Sequence, residues 1–195
     1  MKNRLSHVLT IAASVALLPV AGFAQSSMSA GMGMSSSDPM VGGAAMYPSK
    51  NIVQNAVNSK DHTTLVAAVK AAGLVPTLEG PGPFTVFAPT NEAFAALPSG
   101  TVDTLLKPEN KAKLTKVLTY HVLSGTYTTR DLKALVMKDG GKAMLPSVAG
   151  PDLTFTVADG MIDVTDVKGD TAEITTPNVI QSNGVIQVVN KVLLP

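Results

Sequence analysis

The chain contains no cysteine among its 195 residues. That excludes disulfides, thiolate metal sites, a cysteine nucleophile and a lipid-modified N-terminal cysteine. Tryptophan is absent and aromatic residues make up only 4% of the sequence, so any core must be aliphatic. Neither sign of charge dominates: 15 Lys and Arg stand against 14 Asp and Glu, and no basic block is interleaved with aromatics. A nucleic-acid partner is therefore not expected. No apolar run reaches the roughly 20 residues that a membrane-spanning helix needs.

Catalytic motifs are equally scarce. No Gly-x-Ser-x-Gly elbow precedes a helix and no phosphate loop ends in Gly-Lys-Ser or Gly-Lys-Thr, while Gly80-Pro81-Gly82-Pro83 is too rich in proline to present amides to a phosphate. Beyond the N-terminal stretch the only histidines are His62 and His121, which fall in unrelated elements, so zinc chemistry is not expected. A serine hydrolase built from Ser124, His121 and an aspartate, or a small-ligand carrier with a cleft near His121, depends on spatial neighbours. A carboxylate pair for glycoside cleavage does so equally. The expectation is a protein that is not an enzyme, with no metal and no cofactor.

What is present divides the chain into three parts. Lys2 and Arg4 precede an apolar run from Val8 to Val20, and Gly22 and Ala24 are the small residues of a cleavage site before Gln25. Residues 1–24 therefore read as a secretory signal peptide, and the mature protein is expected in the periplasm or outside the cell. Residues 25–46 are nearly all Ser, Gly, Ala and Met, without periodicity, and read as a flexible leader. Met28, Met32, Met34, Met40 and Met46 lie here, and thioethers are soft ligands suited to Cu(I), which makes a periplasmic Cu(I) binder one reading of the leader.

Residues 47–195 form a single domain by length. Ser49 or Asn51 is placed to cap a short helix with Ile52, Val53 and Val57, and Asp61 to cap a second whose Leu65, Val66, Val69 and Ala72 share a face before Gly73. Phe84 to Ala88 reads as a buried strand, Thr90 as the cap of a helix with Ala93 and Phe94, and Thr101–Leu106 and Glu109–Leu118 as further helices. After Tyr120 the period moves towards two. A strand in YHVLSG and a short helix from Thr129 or Asp131 through Leu135 are followed by a mostly β region from Lys142. Asp159-Gly160 turns a hairpin there, and the last strands run about Ala172–Ile180 and Gly184–Leu194. Helices first and strands last predict an α+β fold: a twisted antiparallel sheet or sandwich, mostly of C-terminal strands, flanked by N-terminal helices.

Three segments carry a family resemblance. TVFAPTNEAF at 85–94, Tyr120-His121 within LTYHVLSG, and SNGVIQVVNKVLLP at 182–195 stand in order, and together they resemble the two conserved boxes and the Tyr-His motif of the fasciclin (FAS1) domain family. The resemblance spans Ser49 to Pro195. It implies an exported adhesion module, acting at the cell surface, in the periplasm or in an extracellular matrix, with a surface protein or polysaccharide as partner and a partner-binding strip around Tyr120 and His121. The second box departs from the family in having Gln187 where His is usual and Asn190 where Asp is common. From the residues alone, His121 reads as a buried hydrogen-bonding group that fixes a helix-to-strand junction. Lys168-Gly169-Asp170 reads as a turn, and it also resembles the short integrin-binding tripeptides.

Overall fold

The structure is a computed structural model in which residues 38–195 are described; the predicted signal peptide and residues 25–37 of the leader lie outside the described residues. A two-stranded hairpin comes first, β1 (Met40–Val41) and β2 (Ala44–Ala45), turned by Gly42 and Gly43 with φ of 58° and 75°. The helical layer follows: α1 (Ile52–Ala56), α2 (Thr63–Ala72) and α3 (Val75–Glu79). Asn51 caps α1 by accepting from Gln54 N at 2.8 Å while Gln54 Oε1 accepts from Asn51 N at 3.1 Å, a reciprocal capping box. Asp61 sits in a 3₁₀ turn (Lys60–His62) before α2, so that helix starts at Thr63 without a side-chain cap; Gly73 ends it in the left-handed conformation.

Strand β3 (Phe84–Pro89) leads into α4 (Asn91–Ala95), capped by Thr90, and then α5 (Thr101–Leu106). Pro108–Asn110 forms a 3₁₀ turn, which moves the start of α6 to Lys111; the helix runs to Tyr120. Strand β4 (Val122–Ser124) and α7 (Thr129–Lys138) come next. Thr128 and Asp131 build a second capping box, and α7 continues one turn beyond the expected Leu135. The rest is β: β5 (Ala143–Pro146), β6 (Asp152–Ala158), β7 (Met161–Thr165), β8 (Thr171–Gln181) and β9 (Gly184–Val189). The β6–β7 hairpin has Asp159 and Gly160 both at positive φ, the geometry the Asp-Gly pair predicts.

Seven strands lie in the order β4-β3-β9-β8-β7-β6-β5. The pairing is antiparallel except between β3 and β9, which run parallel with Phe84 opposite Gly184 and Pro89 opposite Val189. That pair joins strands far apart in the chain, so a long connection is available for the crossover that a parallel pair requires. β8 is irregular, with register shifts between Ile174 and Val179 and Asn178 at φ 56°, and its bulging lets one strand serve both halves of a bent sheet. The bend brings Phe87 on β3 against Phe155 on β6, ring centroids 5.6 Å apart, although three strands separate them in the order. A bridge between Leu123 and Ser147 and a bond from Val148 N to Val122 O tie the two ends together.

Alternation along the strands divides the interior into two cores. Val86, Ala88, Ile186 and Val188 face the helices with Leu65, Val69, Phe94, Leu114 and Leu118. Phe87 and Val189 face the other way, into the sandwich, with Leu123, Leu132, Leu153, Phe155 and Val164.

One expectation about the leader is corrected. Residues 40–46 are not a free extension, because Val41 and Met46 are buried in the helical core, Met46 at 1% exposure. Lys60 N bonds Gly42 O at 3.1 Å and Met46 N bonds Pro39 O at 3.0 Å, so the hairpin is tied down by backbone as well. Two well-placed apolar side chains sufficed where periodicity was lacking.

Candidate functional site

The last turn of α6 directs consecutive side chains into different surroundings. Leu114, Val117 and Leu118 bury the inner face of the helix, which drives Tyr120 into the sandwich core and His121 towards the helical one. Tyr120 is fully buried, and its hydroxyl donates to Asp152 O at 3.0 Å and accepts from Val167 N at 3.1 Å. Burial pushes its pKa up, assisted by the charges of Asp166 and Asp152 and opposed by the Val167 amide. His121 is 2% exposed. Its Nε2 accepts from Leu193 N at 3.0 Å, which places the proton on Nδ1, donating to Val117 O at 2.8 Å. Burial lowers its pKa to about 4, against the opposing pull of the Val117 carbonyl and Asp166.

A third residue completes this arrangement. Asp166, 5% exposed, accepts Lys168 N (2.8 Å) and Asp170 N (3.0 Å) on Oδ1 and Leu194 N (2.9 Å) on Oδ2. Asp166 N bonds Asp170 O at 3.0 Å and Gly169 N bonds Asp166 O at 3.1 Å. With Val167 N on Tyr120, every backbone N–H from 166 to 170 is held by a group of the protein. The side chains of Val167, Lys168 and Asp170 are exposed, Val167 at 58%. Consecutive amides of the C-terminal segment, Leu193 and Leu194, are held by His121 and Asp166.

The structure therefore places Tyr120 and His121 under a surface loop rather than at the surface. Neither side chain offers area to a partner. The Tyr-His pair, the Lys168-Gly169-Asp170 turn and the end of the second box, read separately in the sequence, form one connected unit. Asp166 was missed, although an aspartate two residues before Lys168 in a turn rich in polar residues is the pattern in which a carboxylate caps its own backbone.

The other motif residues are structural. Asn91 Oδ1 accepts Thr64 N at 3.0 Å and its Nδ2 donates to Lys60 O at 2.8 Å, fastening α4 to the start of α2. Asn183 Oδ1 accepts Ile52 N at 3.0 Å and its Nδ2 donates to Leu78 O at 2.7 Å. Gln187, fully buried, accepts Asn178 N at 2.9 Å and donates to Tyr127 O at 3.0 Å and Asn178 Oδ1 at 3.2 Å. Asn190 Oδ1 accepts Glu173 N at 2.9 Å.

Chemically the site is suited to holding shape. Both His121 nitrogens are engaged by backbone groups, so the imidazole has no free position with which to take a proton from Ser124. The cavity of about 40 Å³ beside His121 is lined by aliphatic side chains such as Ile52, Leu65 and Val86. Among the described residues no three His, Asp or Glu side chains gather as a metal chelate, and no helix is long and apolar enough to cross a membrane.

A bent, nearly closed mixed sheet with a helical layer on one face and an inner sandwich core defines an α+β module of the fasciclin type. The family model described as "Fasciclin domain" matches residues 60–195, and the chain belongs to that family. It is 48% identical over 156 residues to Protein sll1483 of Synechocystis sp., covering 80% of this chain and 79% of that one. It is 38% identical over 131 residues to transforming growth factor-beta-induced protein ig-h3 of Sus scrofa, covering 67% of this chain but 17% of that much longer protein. Among solved structures it resembles the fasciclin domain pair of the insect cell adhesion molecule fasciclin I, with a TM-score of 0.67 at 18% identity. That match covers 76% of this chain and about half, 52%, of the pair, and supports the fold.

Proposed function

We propose that this protein is an exported, non-enzymatic adhesion module that attaches to a surface protein or polysaccharide through the loop at 166–170. Tyr120, His121 and Asp166 act in this reading as positioning residues. The observation that carries it is the complete pinning of the loop backbone beneath three exposed side chains. A loop ordered before binding loses little conformational entropy on contact, which is where a small recognition surface gains affinity. Membership of the fasciclin family and likeness to a named cell adhesion molecule support the same class of function.

Attachment is measured with beads coated with the mature protein, offered to the cells that produce it and to their isolated surface polysaccharide. Lys168→Ala with Asp170→Ala should lower attachment about tenfold, roughly 1.4 kcal/mol, and leave the melting temperature unchanged. Undiminished attachment would remove the loop from the contact surface. Mass spectrometry of the secreted protein should find its N-terminus at or near Gln25, where the signal peptide reading places cleavage.

A further inference from the structure

The two ends of β8 present different surfaces. The 166–170 loop leads into its first residue, Thr171, and a cleft that the loop reading does not use opens beyond its last, Gln181. The cleft lies between residues 81–83, 126 and 180–184, holds about 460 Å³ and is open to solvent, with Pro81, Pro83, Thr126, Ile180 and Ser182 in its lining. That volume is within the roughly 300 to 1,000 Å³ that small-molecule sites span.

Its walls are formed before any ligand arrives. Gly125 N donates to Pro83 O at 2.9 Å, Phe84 N to Asn183 O at 3.1 Å, and Asn183 Nδ2 to Gly80 O at 3.1 Å. A Cβ on Gly82 would strike Asn183 O and one on Gly184 would strike Phe84 O, so the two turns meet as closely as backbone allows. The turn from Tyr47 to Lys50 is fastened alongside. Ser182 N donates to Lys50 O at 2.9 Å, and the buried Asn55 amide donates to both Tyr47 O and Gln181 Oε1. Among the described residues Tyr47 is the only exposed aromatic side chain, at 44%, with Lys50 Nζ over one face of its ring, 4.8 Å from the centroid.

The lining selects the class of ligand. None of its residues is ionisable, so a charged group that gave up its water there would lack a counter-charge. Strands β8 and β9 are each paired on both sides, which leaves a peptide no free edge to extend. An acyl chain would lie against hydroxyls and amides open to water. The cleft instead offers the exposed hydroxyls of Thr126 and Ser182, each a donor and an acceptor, between the apolar rings of Pro81 and Pro83. A neutral sugar matches this: its hydroxyls donate and accept, and its C–H face rests on the electron-rich face of an aromatic ring. We propose that the cleft, with Tyr47 at its rim, binds a neutral polysaccharide chain. The module then has a second attachment point, at the opposite end of β8 from the 166–170 loop and independent of it.

The test is binding of the full mature chain to beads coated with dextran, mannan or laminarin, which are neutral, or with alginate, which is acidic. At least one neutral polysaccharide should retain the protein, and equally well between about 0.1 and 1 M salt, because no ion pair is involved. Tyr47→Ala should weaken that binding about tenfold, as should Thr126→Val with Ser182→Ala. Lys168→Ala with Asp170→Ala should leave it unchanged, which separates failure of the cleft from failure of the loop. The altered cleft side chains are exposed, so the melting temperature should not move. The site is overturned if no neutral polysaccharide binds, if alginate alone binds, if salt abolishes binding, or if either cleft variant binds like the native chain. Should Tyr47→Ala melt early, the Thr126 and Ser182 pair still decides.

Discussion

The hydroxyl of Tyr120 and the amide of Val167 are 3.1 Å apart, and through that bond the end of helix α6 holds a surface loop 47 residues further along the chain. The same hydroxyl donates to Asp152 O, so one buried oxygen joins α6, the start of β6 and the β7–β8 turn.

Tyr120→Phe keeps the ring in the sandwich core and deletes only that oxygen. It leaves the Val167 amide and the Asp152 carbonyl without their partner, and should cost about 1 to 3 kcal/mol of stability. Amide exchange at Val167 should accelerate more than at Val164 in the adjoining strand, which separates loss of the brace from general loosening. Equal acceleration at both positions would mean that the loop does not depend on Tyr120.

His121 makes stability depend on pH in a calculable direction. Its folded pKa, about 4, is below the ordinary value of 6.5, so the unfolded chain binds the extra proton first. Stability is complete above pH 6.5 and falls as the pH drops towards 4, by up to about 3 kcal/mol in all. Protonation sets an N–H at Nε2 against the Leu193 amide, so the C-terminal segment should loosen first. His62, lowered by burial, adds loss in the same direction. Urea melts at intervals from pH 7.5 to 4 measure the slope, and in His121→Gln the part due to His121 should vanish.

A chain beginning at Tyr47 should be less stable than one beginning at Asp38. It lacks Val41 and Met46, each of which contributes about 1.5 to 3 kcal/mol when buried. It also uncovers His62 and the cavity below the hairpin. Denaturant midpoints of the two chains, with unchanged slopes, give the difference directly. Identical midpoints would show that the hairpin adds nothing to the domain.

The sequence made local structure legible wherever a single residue type determines it. Asn51, Gly73, Thr90 and the Asp159-Gly160 turn all stand where capping and turn chemistry put them. The burial of His121 followed from its junction position. What stayed hidden was long-range. The β1–β2 hairpin has no apolar period and exists because Val41 and Met46 reach a core built by residues that follow them. The parallel β3–β9 pair, and the meeting of Tyr120 with the 166–170 loop, depend on chain closure that no local pattern encodes.

Gln187 occupies the place where the fasciclin resemblance leads one to expect histidine, and its three hydrogen bonds show what this chain does with the exchange. Its amide oxygen accepts from Asn178 N, and its amide nitrogen donates to both Tyr127 O and Asn178 Oδ1. Asn178 holds φ at 56° in the bulge of β8, where an ordinary residue is strained, so these bonds secure the irregularity that bends the sheet. A neutral imidazole has one donor and one acceptor. In Gln187→His at most two of the three bonds survive; Asn178 Oδ1 still accepts Thr129 N, but losing the bond to Asn178 N or Tyr127 O leaves a backbone group unpaired, with a cost of about 1 to 3 kcal/mol. Thermal denaturation should show that loss, and amide exchange should show Asn178 exposed ahead of its neighbours in β8. If the histidine variant is as stable as the native chain, the bulge is held by strand packing and the amide network is incidental.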